Sequence, residues 1–157
     1  MATKQIIIKP TKSNEYHMPT KVFFGRGAIL KLPDLILEKG IRNILIVAGN
    51  HAKKDPLVIE QFGKLQNAIL YEPKIEKSDY FSIDSLTDFI KTGKFGGILA
   101  LGGGAILDTA KCAAILAKHE GKIEDFVATK KYELIKKGLP LIAIPTTAGT
   151  GSEVTPW

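Results

Sequence analysis

Apolar residues in this chain gather into four short uninterrupted runs, and the stretches between them follow a helical repeat. The runs are Asn43–Val47 (NILIV), Ala68–Tyr71 (AILY), Ile98–Leu101 (ILAL) and Leu141–Ile144 (LIAI). They are of strand length and do not alternate with polar residues, the pattern of strands covered on both faces. Between them, Pro33 suits the first turn of a helix over Asp34–Lys39 that stops at Gly40. Asp55-Pro56 reads as an N-cap followed by proline, opening a helix whose apolar face is Val58, Phe62 and Leu65. Ser82 caps a helix carrying Ile83, Leu86 and Ile90 on one face and ending near Gly93. Ile106, Ala110, Ala113 and Ala117 form a stripe of mainly small residues on the next helix, which Gly121 stops, and a short helix follows around Glu124–Val127. Lys21–Phe24 is strand-like, and residues 1–20, with Ile6, Ile7 and Ile8, read as an arm or edge strand. Strands alternating with helices predict an α/β fold: a doubly wound, Rossmann-like, mainly parallel sheet with helices on both faces. Such sheets bind ligands beyond the carboxyl ends of their strands. That directs attention to Ala48–His51, Gly102–Ala105 and Thr146–Ser152.

Composition narrows the class. With 157 residues, 45% hydrophobic and 24% charged, the chain has the make-up of a soluble globular domain with one core. No apolar run reaches the length of a membrane span, and the N-terminus lacks the apolar core of a signal peptide. A single cysteine, Cys112, excludes an internal disulfide and suits a cytoplasmic protein; its place in a helical pattern reads as core packing. The net charge of +6 is spread over scattered lysines, apart from the solvated stretch Lys130–Lys137, and no nucleic-acid-binding motif accompanies it. Attraction for phosphorylated small molecules is what the charge supports.

The chemistry concentrates in Ile98–Lys111, ILALGGGAILDTAK. Strand, glycines and helix N-terminus in that order make an anion site from backbone alone. The glycines allow φ angles closed to other residues and clear the main chain of Cβ atoms that would keep a ligand off it. A tight turn that needs glycine only for packing is the plainer reading. A second stretch, Pro145–Thr155 (PTTAGTGSEVT), offers four threonines and a serine, hydroxyls suited to ribose and phosphate oxygens.

GGGAILDTAK followed some forty residues later by IPTTAGTGSEVT resembles the iron-containing (group III) alcohol dehydrogenase family, as does the opening MPTKVFFGRGAI. The resemblance covers about residues 18 to 157. It implies a dinucleotide-binding domain over 21–157, followed in the family by an all-helical domain. In that second domain one aspartate and three histidines hold a divalent metal, iron or zinc. By matching motifs, Gly103, Gly104 and Ala105 would face the cofactor pyrophosphate, and Thr146, Thr147 and Thr150 would contact the nucleotide. Asp108 would lie near cofactor and substrate, or would serve only as a first-turn carboxylate favoured by the helix dipole; Lys111 pairs with it at i, i+3. The family commonly has serine at the position of Ala105, so a hydroxyl to phosphate is lost while the backbone donors remain.

Gly49 aligns with a family position that is aspartate in several NAD-preferring members. With Gly49, Asn50 and His51 after the strand, and Lys53 and Lys54 beyond, nothing acidic repels a 2′-phosphate, so NADP(H) is expected over NAD(H). Asn50 and His51 also fit ordinary loop chemistry. His17, His51 and His119 are too dispersed to form a ligand motif, so a metal is expected only in a full-length protein. The sequence stops at Trp157, shortly after the hydroxyl-rich loop, and is read as the front part of a longer protein lacking ~200 residues. The implied function is the cofactor half of an NAD(P)-dependent alcohol dehydrogenase or aldehyde reductase. Its partners would be a nicotinamide dinucleotide, a small alcohol or aldehyde and a second copy of the chain, without nucleic acid or membrane. Alternatives are a non-catalytic dinucleotide- or phosphate-binding module, the related glycerol or polyol dehydrogenase branch, and dehydroquinate-synthase-like chemistry. A downstream aspartate and three histidines would separate the enzyme from the module.

Overall fold

The computed structural model describes residues 20–50 and 54–155; the N-terminal arm, His17, His51, Lys53 and Trp157 lie outside them. Strands β1 (Ile44–Ala48), β2 (Ala68–Tyr71), β3 (Gly97–Gly102) and β4 (Leu141–Pro145) form one sheet. Their order is β2-β1-β3-β4, and each adjacent pair is parallel. The helices are α1 (Leu32–Glu38), α2 (Pro56–Gly63), α3 (Tyr80–Gly93), α4 (Gly104–Leu116) and the short α5 (Ile123–Val127).

Successive side chains of a strand point to opposite faces, and here both faces are apolar. Ile44, Ile46, Ala48, Leu99 and Leu101 pack with Leu32 and Ile36 of α1 and Val58 of α2. Leu45, Val47, Ile98 and Ala100 pack with Leu86 and Ile90 of α3 and Leu107 and Ala110 of α4. The sheet is therefore wound on both sides, and β1 and β3 read as continuous apolar runs because neither face is wet. The chain leaves β1 toward α2 on one face and leaves β3 toward α4 on the other. The crevice between the ends of β1 and β3 is thus the topological switch point, where α/β sheets bind ligands.

Several expectations need correction. Lys21–Phe24 forms no strand: Phe24 is fully exposed, and the Phe23 ring instead receives the ammonium groups of Lys21 and Lys31 at 5.1 and 5.2 Å. Leu141–Ile144 is only half-buried, because among the described residues β4 lies at the edge of the sheet. Asn43 takes a left-handed φ of 54°, so β1 starts one residue later than the apolar run suggested. The cap of α3 is Asp79, whose carboxylate accepts from the Ser82 N–H at 2.9 Å; Ser82 is the third helical residue.

The Asp79 carboxyl is held below the usual carboxylate range by the Ser82 backbone N–H and then by the Ser82 side chain. A group with a folded pKa below its unfolded value stabilises fully above the unfolded value. That stabilisation is lost as pH falls through the folded one. Asp79→Ala should therefore unfold at lower urea than the parent near about pH 6, with the gap closing toward about pH 2. A gap independent of pH would remove the carboxylate from the cap.

The lysine-rich stretch after α5 is exposed and irregular. It is held by His119, whose Nε2 accepts from the Ile135 and Lys136 amides at 3.2 and 3.1 Å while Nδ1 donates to the Ile115 carbonyl at 2.9 Å. No helix among the described residues is long and apolar enough to cross a membrane.

Candidate functional site

β3 ends at Gly102, Gly103 is the N-cap of α4, and Gly104 is its first residue. None of the three has a positive φ; Gly103 is extended at φ −77° and ψ 179°. The φ freedom that glycine allows is therefore not used at these three positions, and what they supply is the missing Cβ. One at Gly102 would lie 2.9 Å from Ile106 Cβ, and one at Gly103 would lie 3.2 Å from Thr147 Oγ1. At Gly104 it would lie 3.1 Å from Ser152 Oγ and 3.2 Å from Thr150 Cγ2. Gly102 thus serves strand–helix packing, while Gly103 and Gly104 let the hydroxyl-rich loop rest on the turn.

No side chain caps α4. The Ile106 and Leu107 amides return to the Gly103 carbonyl at 3.1 Å, whereas the Gly104 and Ala105 amides have no acceptor among the described residues. Unpaired N–H groups and the positive end of the helix dipole thus open toward the second loop. That loop is tied at its start by the Thr146 N–H to the Gly102 carbonyl at 2.9 Å. It bends through Gly149 (φ 94°) and Gly151 (φ 67°), left-handed positions that favour glycine. Thr146, Thr147 and Thr150 are exposed. Ser152 is buried, and its hydroxyl donates to Asp108 Oδ2 at 3.1 Å. Glu153 Oε2 is a buried acceptor with no hydrogen-bond partner among the described residues.

Asp108 is the fifth residue of α4, not a first-turn residue, so a dipole role at the helix start is corrected. Its partners are Ser152 and, at 3.0 Å, the Lys111 ammonium, as the i, i+3 spacing foretold. Lys111 also donates to the Thr155 carbonyl and hydroxyl, both at 3.1 Å. At the end of β1 the Gly49 N–H donates to the Leu101 carbonyl at 3.0 Å. A Cβ on Gly49 would meet Ile106 Cδ1 at 3.6 Å, an ordinary contact. The fold thus gathers Gly49, Gly103, Gly104, Thr146, Thr147, Thr150 and Asp108 around the start of α4, with Ala105 half-buried in its first turn and Asn50 exposed beyond Gly49.

Three contacts escaped the sequence reading: Ser152 to Asp108, Lys111 to Thr155, and the buried Thr109 hydroxyl donating to Ser78 Oγ at 3.0 Å. Each joins residues more than thirty positions apart, where periodicity gives no signal. Cys112 is buried as expected, its thiol pushed up to about 11 chiefly by burial and further by the Asp108 charge. Among the described residues no three His, Cys, Asp or Glu side chains converge on a metal position.

A family model described as iron-containing alcohol dehydrogenase matches residues 19–157. The chain is 36% identical over 141 residues to a long-chain-alcohol dehydrogenase of Geobacillus thermodenitrificans, covering 83% of this chain and 34% of that protein. Its fold superposes on the NADH-dependent butanol dehydrogenase A of Thermotoga maritima with a TM-score of 0.76 and 30% identity, covering 88% of this chain and 36% of that one. The sulfoacetaldehyde reductase of Bifidobacterium kashiwanohense, solved with NAD+, gives a TM-score of 0.78 at 27% identity, covering 90% and 38%. The chain spans about a third of the length of these relatives.

Proposed function

We infer the function from one premise: the chain belongs to the iron-containing alcohol dehydrogenase family. Our reading is that it is the dinucleotide-binding part of an NAD(P)-dependent alcohol dehydrogenase or aldehyde reductase. In that reaction an alcohol gives a hydride to NAD(P)+ and a proton to its surroundings, leaving an aldehyde and NAD(P)H. The observation that carries this reading is the uncapped start of α4, opening at the switch point beneath a loop of hydroxyls. The donors fit a pyrophosphate: the Gly104 and Ala105 amides have no acceptor among the described residues, and Gly103 and Gly104 place no side chain between the turn and the threonine loop. The Gly103, Gly104 and Ala105 amides would receive the pyrophosphate, and the Thr146, Thr147 and Thr150 hydroxyls would hold nucleotide oxygens. Gly49 and Asn50 would flank the adenosine ribose.

The described residues do not fit the family's metal, since no ligand set converges among them. The metal would act as a Lewis acid on the alcohol oxygen, and no step of that kind is assigned to these side chains. This chain is therefore expected to bind dinucleotide without turnover. Fluorescence titration with NADPH should saturate, and addition of divalent metal and a small aldehyde should leave the NADPH unoxidised. Failure to bind would sink the reading, and metal-stimulated oxidation would overturn its non-catalytic part.

NADPH is expected to bind more tightly than NADH, because the ribose side of the cleft, at Gly49 and Asn50, carries no carboxylate to repel a 2′-phosphate. A Cβ at Gly49 would make only an ordinary contact, 3.6 Å from Ile106 Cδ1. Gly49→Asp should shift the NADH/NADPH affinity ratio by about tenfold toward NADH. Equal shifts in both affinities would place the adenosine ribose elsewhere.

A further inference from the structure

We propose that Lys111 is a positioning residue of the cleft, the fastening that holds the hydroxyl-rich loop over the start of α4. The inference rests on the dinucleotide reading above and extends it to a residue two turns along α4 from the glycine turn. The Lys111 side chain is 11% exposed although it is charged, and its ammonium meets three acceptors. These are Asp108 Oδ1 at 3.0 Å, the Thr155 carbonyl at 3.1 Å and the Thr155 hydroxyl at 3.1 Å. An ammonium has three N–H bonds, so its donors are fully matched.

The contacts form two rungs. Asp108 holds Ser152, and Lys111 holds Thr155. The helix residues are three apart, and so are the loop residues. The spacing repeats because the loop closes into a helical turn here, with the Val154 and Thr155 amides returning to the Gly151 carbonyl at 2.9 and 3.0 Å. At its other end the loop hangs from Gly102 through the Thr146 N–H. Thr147 and Thr150, which lie over Gly103 and Gly104, are thus suspended between two anchors. Gly149, at φ 94° and with nothing within 4 Å of its Cβ position, gives the span between them no support of its own. Without Lys111 the loop loses its bonds at Thr155 and leans on the Ser152 hydroxyl's bond to the Asp108 carboxylate, and binding must first order the loop, which weakens affinity without touching a ligand-facing group.

Three variants test this: Lys111→Met, Lys111→Arg and Thr155→Val. NADPH titration should show at least tenfold weaker binding for Lys111→Met and a loss within about threefold for Lys111→Arg, which still reaches a carboxylate. Thr155→Val removes one acceptor and should fall between them. Amide exchange should be faster at residues 147–155 in ligand-free Lys111→Met, unchanged in β1 and β3, and slowed again by saturating NADPH. Parent-like affinity in Lys111→Met overturns the proposal, as does protection lost equally across the sheet, which marks Lys111 as a general stabilising residue. If the parent chain itself fails to bind NADPH, the dinucleotide reading falls. The exchange pattern then decides the fastening separately: unchanged exchange at 147–155 overturns it. Should Lys111→Met not fold, Thr155→Val carries both measurements.

Discussion

Valine in place of Gly104 is expected to abolish NADPH binding at accessible concentrations, a loss of at least about a hundredfold, while the domain stays folded. Each tenfold of that loss corresponds to about 1.4 kcal/mol. The backbone tolerates the change, since Gly104 has no positive φ and begins a helix whose Leu107 N–H already bonds to the Gly103 carbonyl. The space does not. The new Cβ would stand 3.1 Å from Ser152 Oγ and 3.2 and 3.3 Å from Thr150 Cγ2 and Cβ, before the two methyl groups are added. The loop must lift, and the methyls then cover the amides that a phosphate would need. Gly104→Ala, which adds the Cβ alone, should give an intermediate loss. Titration checks the affinity, and a thermal midpoint near that of the parent shows that the fold survived. Binding within threefold of the parent would mean that the cradle lies elsewhere.

Leu107→Ala should do the reverse, destabilising the domain by about 2–5 kcal/mol while leaving every cleft group in place. Leu107 is fully buried, packed among Leu45, Val47, Leu86 and Ile98 on the α3–α4 face of the sheet. A domain whose total stability is on the order of 5–15 kcal/mol loses much of it at one site. The measurement is urea denaturation, and the cross-check is linkage. A ligand that binds only the folded state raises the unfolding midpoint. Saturating NADPH should therefore rescue Leu107→Ala and leave Gly104→Val unmoved. A loss below about 1 kcal/mol would show that the core can close over the gap.

The contrast between these sites marks what the residues disclosed before folding. NILIV and ILAL announce strands covered on both faces, because continuous apolar residues have no other stable place, and both became central strands. Lys21–Phe24 carries a similar local signal but acquires no strand partner among the described residues. Asp79 and Ser82 are equally good caps by residue type, and only the start of the helix decided between them. The glycine run was legible as a place of close approach but not as to what approaches: the threonine loop, forty residues on, occupies the Cβ positions. Ser152 and Thr155 gave no warning of their bonds to Asp108 and Lys111, because those contacts depend on how β4 delivers its loop past α4.

The burial of Cys112 has a practical consequence. It is the single cysteine of the chain, and with a thiol pushed up to about 11 it is almost wholly protonated at neutral pH, with on the order of one molecule in ten thousand as thiolate. The native chain is therefore close to inert toward maleimides and similar reagents, and a thiol introduced on the surface would be labelled alone. Ala148 is exposed within the suspended loop. A dye attached there would ride between the two anchors, turning this segment into an optical reporter of occupancy without any background thiol to remove.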